Sequence, residues 1–193
     1  MGQIGMIDSK ELNYFEWEIP AGDRITLGLY RADELETMHN WKHQVDISFL
    51  TCRTVKRLSL QERKKQFKKN IPSAFAIRRL TDDQLIGEIS VYDYNAKNRS
   101  IGIGYFTGPD YRRQGYTKES LQIMLMHLFN TVGINKVMAN TGSFNQASIT
   151  LLKSCGFQQD GCLREHQLFE GVLHDHFLFS LLAKEFSSRK PSP

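Results

Sequence analysis

The sequence is poor in the features that would announce redox, membrane or nucleic-acid chemistry. Its three cysteines, Cys52, Cys155 and Cys162, show no CxxC spacing, and an odd count suits reduced thiols better than a disulfide framework. No apolar run approaches the roughly 20 residues that span a bilayer, and "MGQIGMIDSK" lacks the basic-then-apolar layout of a secretory leader. A cytoplasmic protein without membrane contact is expected. One-sided charge is also missing: 25 Lys and Arg face 21 Asp and Glu, a formal +4. That excess is mild beside the concentrated basic faces of nucleic-acid binders, and an anionic small ligand accounts for it equally well. The densest basic run, "QERKKQFKKN" at 61–70, carries Glu62 among helix formers and reads as an exposed helix face. Nucleic acid is therefore not an expected partner. With no repeat, low-complexity tract or linker, one folded domain over 1–186 is expected, followed by a frayed tail at 187–193.

What is present is a regular alternation of strand and helix patterns. A β-rich run from Arg24 to Tyr30 precedes "ADELETMHNWKHQ", in which Leu35, Met38 and Trp41 fall on one helical stripe. A basic helix follows near 59–70. "SAFAIRRL" and "QLIGEISVYDY" then read as strands around the turn at Thr81, Asp82 and Asp83, and "RSIGIGYFTG" as a fourth strand. From Tyr116 to Asn130 the period becomes helical, with Leu121, Met124, Leu125 and Leu128 at i, i+3, i+4 and i+7. "NKVMANT" is another strand. Asn145 is an N-cap candidate for a second amphipathic helix that ends at Gly156, and two strands around Glu170 and Gly171 close the chain. Gly102 and Gly104 weaken the fourth strand unless something approaches its backbone closely.

The loop "YRRQGYTKES" joins the fourth strand to a helix. There a helix N-terminus aims backbone amides and the positive end of its dipole at one point, where a phosphate fits. Gly115 lets the backbone approach, and Arg112, Arg113 and Lys118 add charge. Taken alone this is a weak pattern, matching neither the dinucleotide fingerprint nor the P-loop. Strand "IGIGYFTGPDY", loop "RRQGYT", helix, strand "KVMANT" and "NQASITLLKSCGF" together resemble the GNAT superfamily of acetyl-CoA-dependent N-acetyltransferases. The finer pattern resembles the Rim-type, ribosomal-protein-alanine branch: Ile103-Gly104-Tyr105, Pro109, Tyr111, Gly115-Tyr116 and Glu119, then Asn145, Ser148, Leu151, Gly156 and Phe157.

The resemblance implies an α+β, three-layer fold: a mixed, mostly antiparallel sheet of about seven strands, helices on both faces, and a splayed strand pair that binds CoA. It implies transfer of acetyl from acetyl-CoA, with no metal, to a primary amine on a protein N-terminus or a small molecule. Backbone near Phe106 and Thr107 would hold pantetheine and polarise the thioester, amides from Arg113 to Thr117, including Gln114, Gly115 and Tyr116, would hold pyrophosphate, and Asn145 would bond the pantetheine arm. Lys153 is a further phosphate candidate. Leu152 stands where much of the superfamily has the tyrosine that supplies the acid; the resemblance to the Rim-type branch, which uses a serine instead, makes Ser148 the candidate proton donor, directly or through water. The branch's glutamate is replaced by Gly102, so Glu88 and Asp93 are the substitute base candidates, beside a path through bulk water. His39 with His43, and His174 with His176, share element faces but lack ligands to complete a metal site. A homodimer paired through sheet edges is left open by the sequence.

Overall fold

The computed structural model describes residues 17–45, 49, 57–67 and 74–187. The N-terminal decapeptide, Cys52, the end of the basic run at 68–70 and the expected tail from 188 onward lie outside the described residues.

Seven strands form one mixed sheet in the order β1-β2-β3-β4-β5-β7-β6. β1 (Ile25–Gly28), β2 (Ala74–Arg79), β3 (Leu85–Asn95) and β4 (Ser100–Thr107) make an antiparallel meander. β5 (Lys136–Gly142) runs parallel to β4, and the hairpin of β6 (Gln158–Phe169) and β7 (Val172–Leu182) completes the other half through β5–β7 pairing. Helix α1 (Glu34–His43) and α2 (Leu60–Phe67) follow β1. α3 (Tyr116–His127) crosses between β4 and β5, α4 (Gln146–Ser154) between β5 and β6, and α5 (Ala183–Ser187) ends the described chain. The expected fold class is therefore observed, with a single parallel pair in an otherwise antiparallel sheet.

Alternating burial explains the layers. Ile89, Val91, Ile101, Ile103, Val137 and Ala139 project to one face, where Leu121, Met124 and Leu125 of α3 and Ile149 and Leu152 of α4 cover them. On the other face Met38 of α1 packs with Ala76, Leu85 and Phe106, flanked by Tyr30 and Trp41. The helix starts follow local chemistry. Ser59 and Glu62 form a reciprocal capping box at α2, with Ser59 N–H donating to Glu62 Oε2 at 2.8 Å and Glu62 N–H to Ser59 Oγ at 3.3 Å. The helix expected to reach Asn130 stays α-helical to His127 and then widens into a π-helical turn over Leu128–Val132. That wider turn keeps Leu128, Phe129 and Val132 buried, which a period of 3.6 does not anticipate.

α1 is also pinned by charge. Arg78, on β2, donates to both carboxylate oxygens of Glu34 at 2.5 and 2.7 Å, and to the Leu29 carbonyl at 2.6 Å. Their side chains are only 6% and 8% exposed, so each charge depends on the other.

His127 lies buried at the end of α3, its ring centroid 4.7 Å from that of Trp17, and burial holds its proton affinity below the ordinary value. The unfolded chain takes this proton near pH 6.5, so stability is full above about pH 6.5 and falls as pH drops toward the lower folded value. His176 is shifted in the same direction. His127→Met is expected to flatten part of the fall in urea midpoint between about pH 7.5 and 5.5; an identical slope in the variant would contradict this burial effect.

Candidate active site

The sheet opens at its parallel pair. β4 and β5 are in register only at Ser100 with Lys136, Ile101 with Val137, and Gly102 with Met138. β4 then continues to Thr107 on β3 alone, and β5 to Gly142 on β7 alone. Between them lies a wedge edged by strand backbone that neither arm satisfies for the other. Such an edge requires a partner, whether water or an inserted extended group.

The loop after β4 closes one end of this wedge. It leaves Thr107 through a 3-10 turn at Pro109–Tyr111 and enters α3 with two left-handed residues, Arg113 at φ 60° and Gly115 at φ 82°. Gly115 is the N-cap, and the first helical bond runs from Glu119 N–H to its carbonyl at 3.1 Å. The amides of Tyr116, Thr117 and Lys118 are therefore helix-start donors without intrahelical acceptors, at the positive end of the dipole.

Arg24, at the edge of β1, braces this geometry. Its Nη1 donates to the Gln114 carbonyl at 2.9 Å, its Nε to Glu119 Oε2 at 2.9 Å, and its backbone N–H to Glu119 Oε1 at 2.8 Å. Its guanidinium also lies 4.9 Å from the centre of the Tyr116 ring. Thr107 and Thr117 share a hydroxyl bond of 2.6 Å across the loop. Arg112 turns back on the loop, Nε donating to the Thr107 carbonyl at 3.3 Å and its guanidinium resting 5.8 Å from the Phe106 ring centre. Phe106 itself is buried. Arg112, Arg113, Gln114, Gly115 and Lys118 are exposed. All three cationic side chains are thus at the surface, and Arg112 also reinforces the loop.

α4 closes the other side. Asn145 is its N-cap, with Oδ1 accepting from Ser148 N–H at 3.1 Å. Ser148 Oγ does not turn back on the helix backbone; it stands 2.7 Å from the Tyr105 hydroxyl on β4. Burial pushes the Tyr105 phenol up to about 12, an effect that the bond to Ser148 only partly offsets. Leu152, at the position where the resemblance expected a tyrosine, is fully buried core. Lys153 is exposed in the last turn of α4, and the Cys155 thiol is raised by burial.

The base candidates stand elsewhere. Glu88 faces α1: Lys42 Nζ lies 2.7 Å from Oε1, and the Tyr30 hydroxyl donates to Oε2 at 2.8 Å. Burial alone would raise this carboxyl, yet Lys42 and Tyr30 outweigh it and leave it below the ordinary value. Asp93 sits at a bulge near the end of β3, at φ 49°, one residue beyond the Tyr92–Gly102 pair. Tyr105 pairs with Ile89, so four residues of strand, roughly 13 Å, separate Asp93 from its level. The structure thus brings Ser148, Asn145, Thr107, Thr117 and Gly115 around the wedge, and sets Glu88 and Asp93 away from the hydroxyl pair.

Gly102 and Gly104 do admit a close approach, but from within the chain. A Cβ on Gly102 would lie 2.3 Å from the Tyr92 ring, and one on Gly104 would lie 3.1 Å from Ser90 Oγ. Tyr105 and Arg24 were not among the candidates read from sequence. Their partners lie 43 and 90 residues away, a separation that no local pattern reveals. The histidine pairs are occupied with ring and hydrogen-bond contacts: His39 and His43 at 3.9 Å between centroids, His174 on Phe144, and His176 Nδ1 with Gln167 Oε1 at 2.8 Å. Among the described residues no three His, Cys, Asp or Glu side chains gather as a metal site, and no helix is long and apolar enough to cross a membrane.

A mixed sheet split at its one parallel pair, with a glycine-capped helix N-terminus at the split, defines an acetyltransferase-type fold. The family model described as "Acetyltransferase (GNAT) domain" matches residues 24–158, and the chain belongs to that family. It is 31% identical over 105 residues to the uncharacterized N-acetyltransferase p20 of Bacillus licheniformis, covering 54% of this chain and 59% of that protein. It is 28% identical over 85 residues to the [ribosomal protein uS5]-alanine N-acetyltransferase of Escherichia coli, covering 44% of each. The chain thus spans about three-fifths or less of the length of these curated relatives. Among solved structures, the spermidine N-acetyltransferase of Vibrio cholerae, in complex with CoA and spermine, superposes with a TM-score of 0.77 at 19% identity. That superposition covers 86% of this chain and 99% of the other.

Gly102→Ala is expected to destabilise the fold by about 1–3 kcal/mol through overpacking against Tyr92. Urea denaturation measures this, and a variant as stable as the parent would show that the Tyr92 ring yields freely.

Proposed function

We propose that this chain is an N-acetyltransferase that moves the acetyl group of acetyl-CoA to a primary amine by direct attack in a ternary complex. The observation that carries the reading is the wedge beyond Gly102 and Met138, which ends at the left-handed Gly115 and the start of α3. An extended pantetheine arm fits an unpaired strand edge, because its amides supply the bonds that β4 and β5 withhold from each other. The backbone of Phe106 and Thr107 would hold it beside the thioester carbonyl and stabilise the oxyanion. Amides from Arg113 through Gln114, Gly115 and Tyr116 to Thr117 would hold the pyrophosphate, with charge from Arg113 and Lys118. Arg112 contributes indirectly by steadying the Thr107 carbonyl. Asn145, its oxygen engaged at Ser148, has its amide NH2 for the pantetheine arm, and Lys153 suits the adenosine phosphate.

Ser148 is assigned to the departing thiolate. Glu88 shares its charge with Lys42 and Tyr30, and Asp93 stands beyond the Tyr92–Gly102 pair, so the proton of the incoming ammonium is assigned to bulk water. The acceptor is a primary amine of a protein N-terminus or a small molecule; polyamines belong to the panel because a fold neighbour acts on spermidine. The engaged Glu88 also favours a second reading, a CoA-binding module without turnover. The domain is proposed to extend over 1–186, and a homodimer through a sheet edge is the simplest assembly for an uncovered β1 or β6.

Acetyl-CoA consumption over a panel of N-terminal peptides, polyamines and amino sugars separates these readings: turnover on any amine supports the enzyme, while tight CoA binding with none supports the module. Gly115→Val places a β-branched residue at φ 82°, with its Cβ 3.2 Å from Arg24 Nη2. It should raise KM for acetyl-CoA by about tenfold or more, since a left-handed β-branched residue costs at least 1–2 kcal/mol; unchanged affinity would refute the phosphate cradle. Ser148→Ala should lower kcat by about 10- to 100-fold, the worth of a hydrogen bond to a charged group, with folding little altered.

A further inference from the structure

The two hydroxyls at the wedge belong to opposite arms. Tyr105 lies on β4 three residues beyond the last β4–β5 pair, and Ser148 lies in the first turn of α4, which follows β5. Their 2.7 Å bond therefore bridges the opening on the α3 and α4 side of the sheet, where Tyr105 packs against the core. Either oxygen could donate on distance alone. Among the described residues Ser148 is the partner of the part-buried Tyr105 hydroxyl, and an O–H taken from water without an acceptor is costly. That cost favours Tyr105 as the donor and Ser148 as the acceptor. Ser148 then has its own hydrogen to place. Its amide is already fixed on Asn145 Oδ1, and the first turn of a helix offers no carbonyl four residues back within the helix. With Tyr105 donating, that hydrogen is free to turn toward the open side of the cleft.

We propose that Tyr105 is a positioning residue: by donating to Ser148 Oγ it directs the Ser148 O–H at the sulfur that leaves during acetyl transfer. The proposal rests on the acetyltransferase reading above. In the step, the neutral amine nitrogen forms its bond to the acetyl carbon and the C–S bond breaks with its electron pair on sulfur. Ser148 hydrogen-bonds to that sulfur while both hydroxyls keep their protons. The proton lost by nitrogen goes to water, and the thiolate is later protonated from water. Tyr105 does not itself give up a proton: burial pushes its phenol up to about 12, above the ordinary range of a thiol, so transfer to the thiolate would run uphill. A phenol that stays protonated is what an orienting donor requires.

The test is a double-mutant cycle with Tyr105→Phe and Ser148→Ala. Tyr105→Phe keeps the ring and should lower kcat about 5- to 10-fold with KM for acetyl-CoA within about twofold. In the Ser148→Ala background it should add no further loss, whereas a purely structural Tyr105 would give multiplicative losses, and that outcome overturns the proposal. A second readout needs no turnover. Calorimetric binding of CoA and of desulfo-CoA, in which hydrogen replaces the sulfur, is compared at about pH 9, where the thiolate is well populated. The parent should prefer CoA, and both single variants should lose the same preference. If no amine is acetylated but this shared loss is seen, the acetyltransferase reading fails while the hydroxyl pair stands. If turnover occurs and Tyr105→Phe matches the parent in both kcat and CoA preference, the positioning role alone is overturned.

Discussion

Backbone hydrogen bonds left unmade between β4 and β5 organise the rest of this molecule. Three register pairs hold the parallel strands together, and the edges then part. Each arm is completed on its outer side, β4 by β3 and β5 by β7, so the opening costs the sheet no integrity. Each arm also feeds a helix, α3 from β4 and α4 from β5, and both helix starts point back to the gap. The wedge, the glycine-capped loop and the Asn145 cap are thus consequences of one interruption in pairing. Were the pair to continue to Thr107 and Gly142, the unpaired backbone would vanish and no extended guest could enter.

Much of this was legible in the sequence where the cause is local. Periods of two and 3.6 residues mark the strands and the main helices, and Asn145 takes the cap its position suggested. Gly115 and Gly156 adopt left-handed conformations at helix boundaries. Features that depend on register or on distant side chains were not legible. The need for glycine at 102 is evident from the pattern, but that the approaching group is the Tyr92 ring follows only from the β3–β4 register. Glu88 looks like an available carboxylate until Lys42, 46 residues away, is seen beside it. The bond between Tyr105 and Ser148 is invisible for the same reason: its donor and acceptor belong to separate patterns, each complete without the other.

Charge is divided between the two sides of the sheet in a way that composition hides. On the α1 side, acidic groups are matched one to one with bases, Glu34 with Arg78 and Glu88 with Lys42, in settings where an unmatched charge would be costly. At the loop, Arg24 is satisfied by Glu119, whereas Arg113 and Lys118 stay at the surface around the start of α3. Exposed cationic side chains therefore stand beside a helix N-terminus, where backbone dipoles add to their positive charge.

The indole of Trp41 gives this arrangement a mechanical side. It reaches from α1 to the end of β4, where it lies against Gly108, and meets the Tyr111 ring edge-on at 5.9 Å. The turn that launches the loop into α3 is therefore propped by a helix from the opposite layer. The two layers are therefore not free to vary independently: a replacement of α1 that lost the indole would leave the loop's first turn without its support.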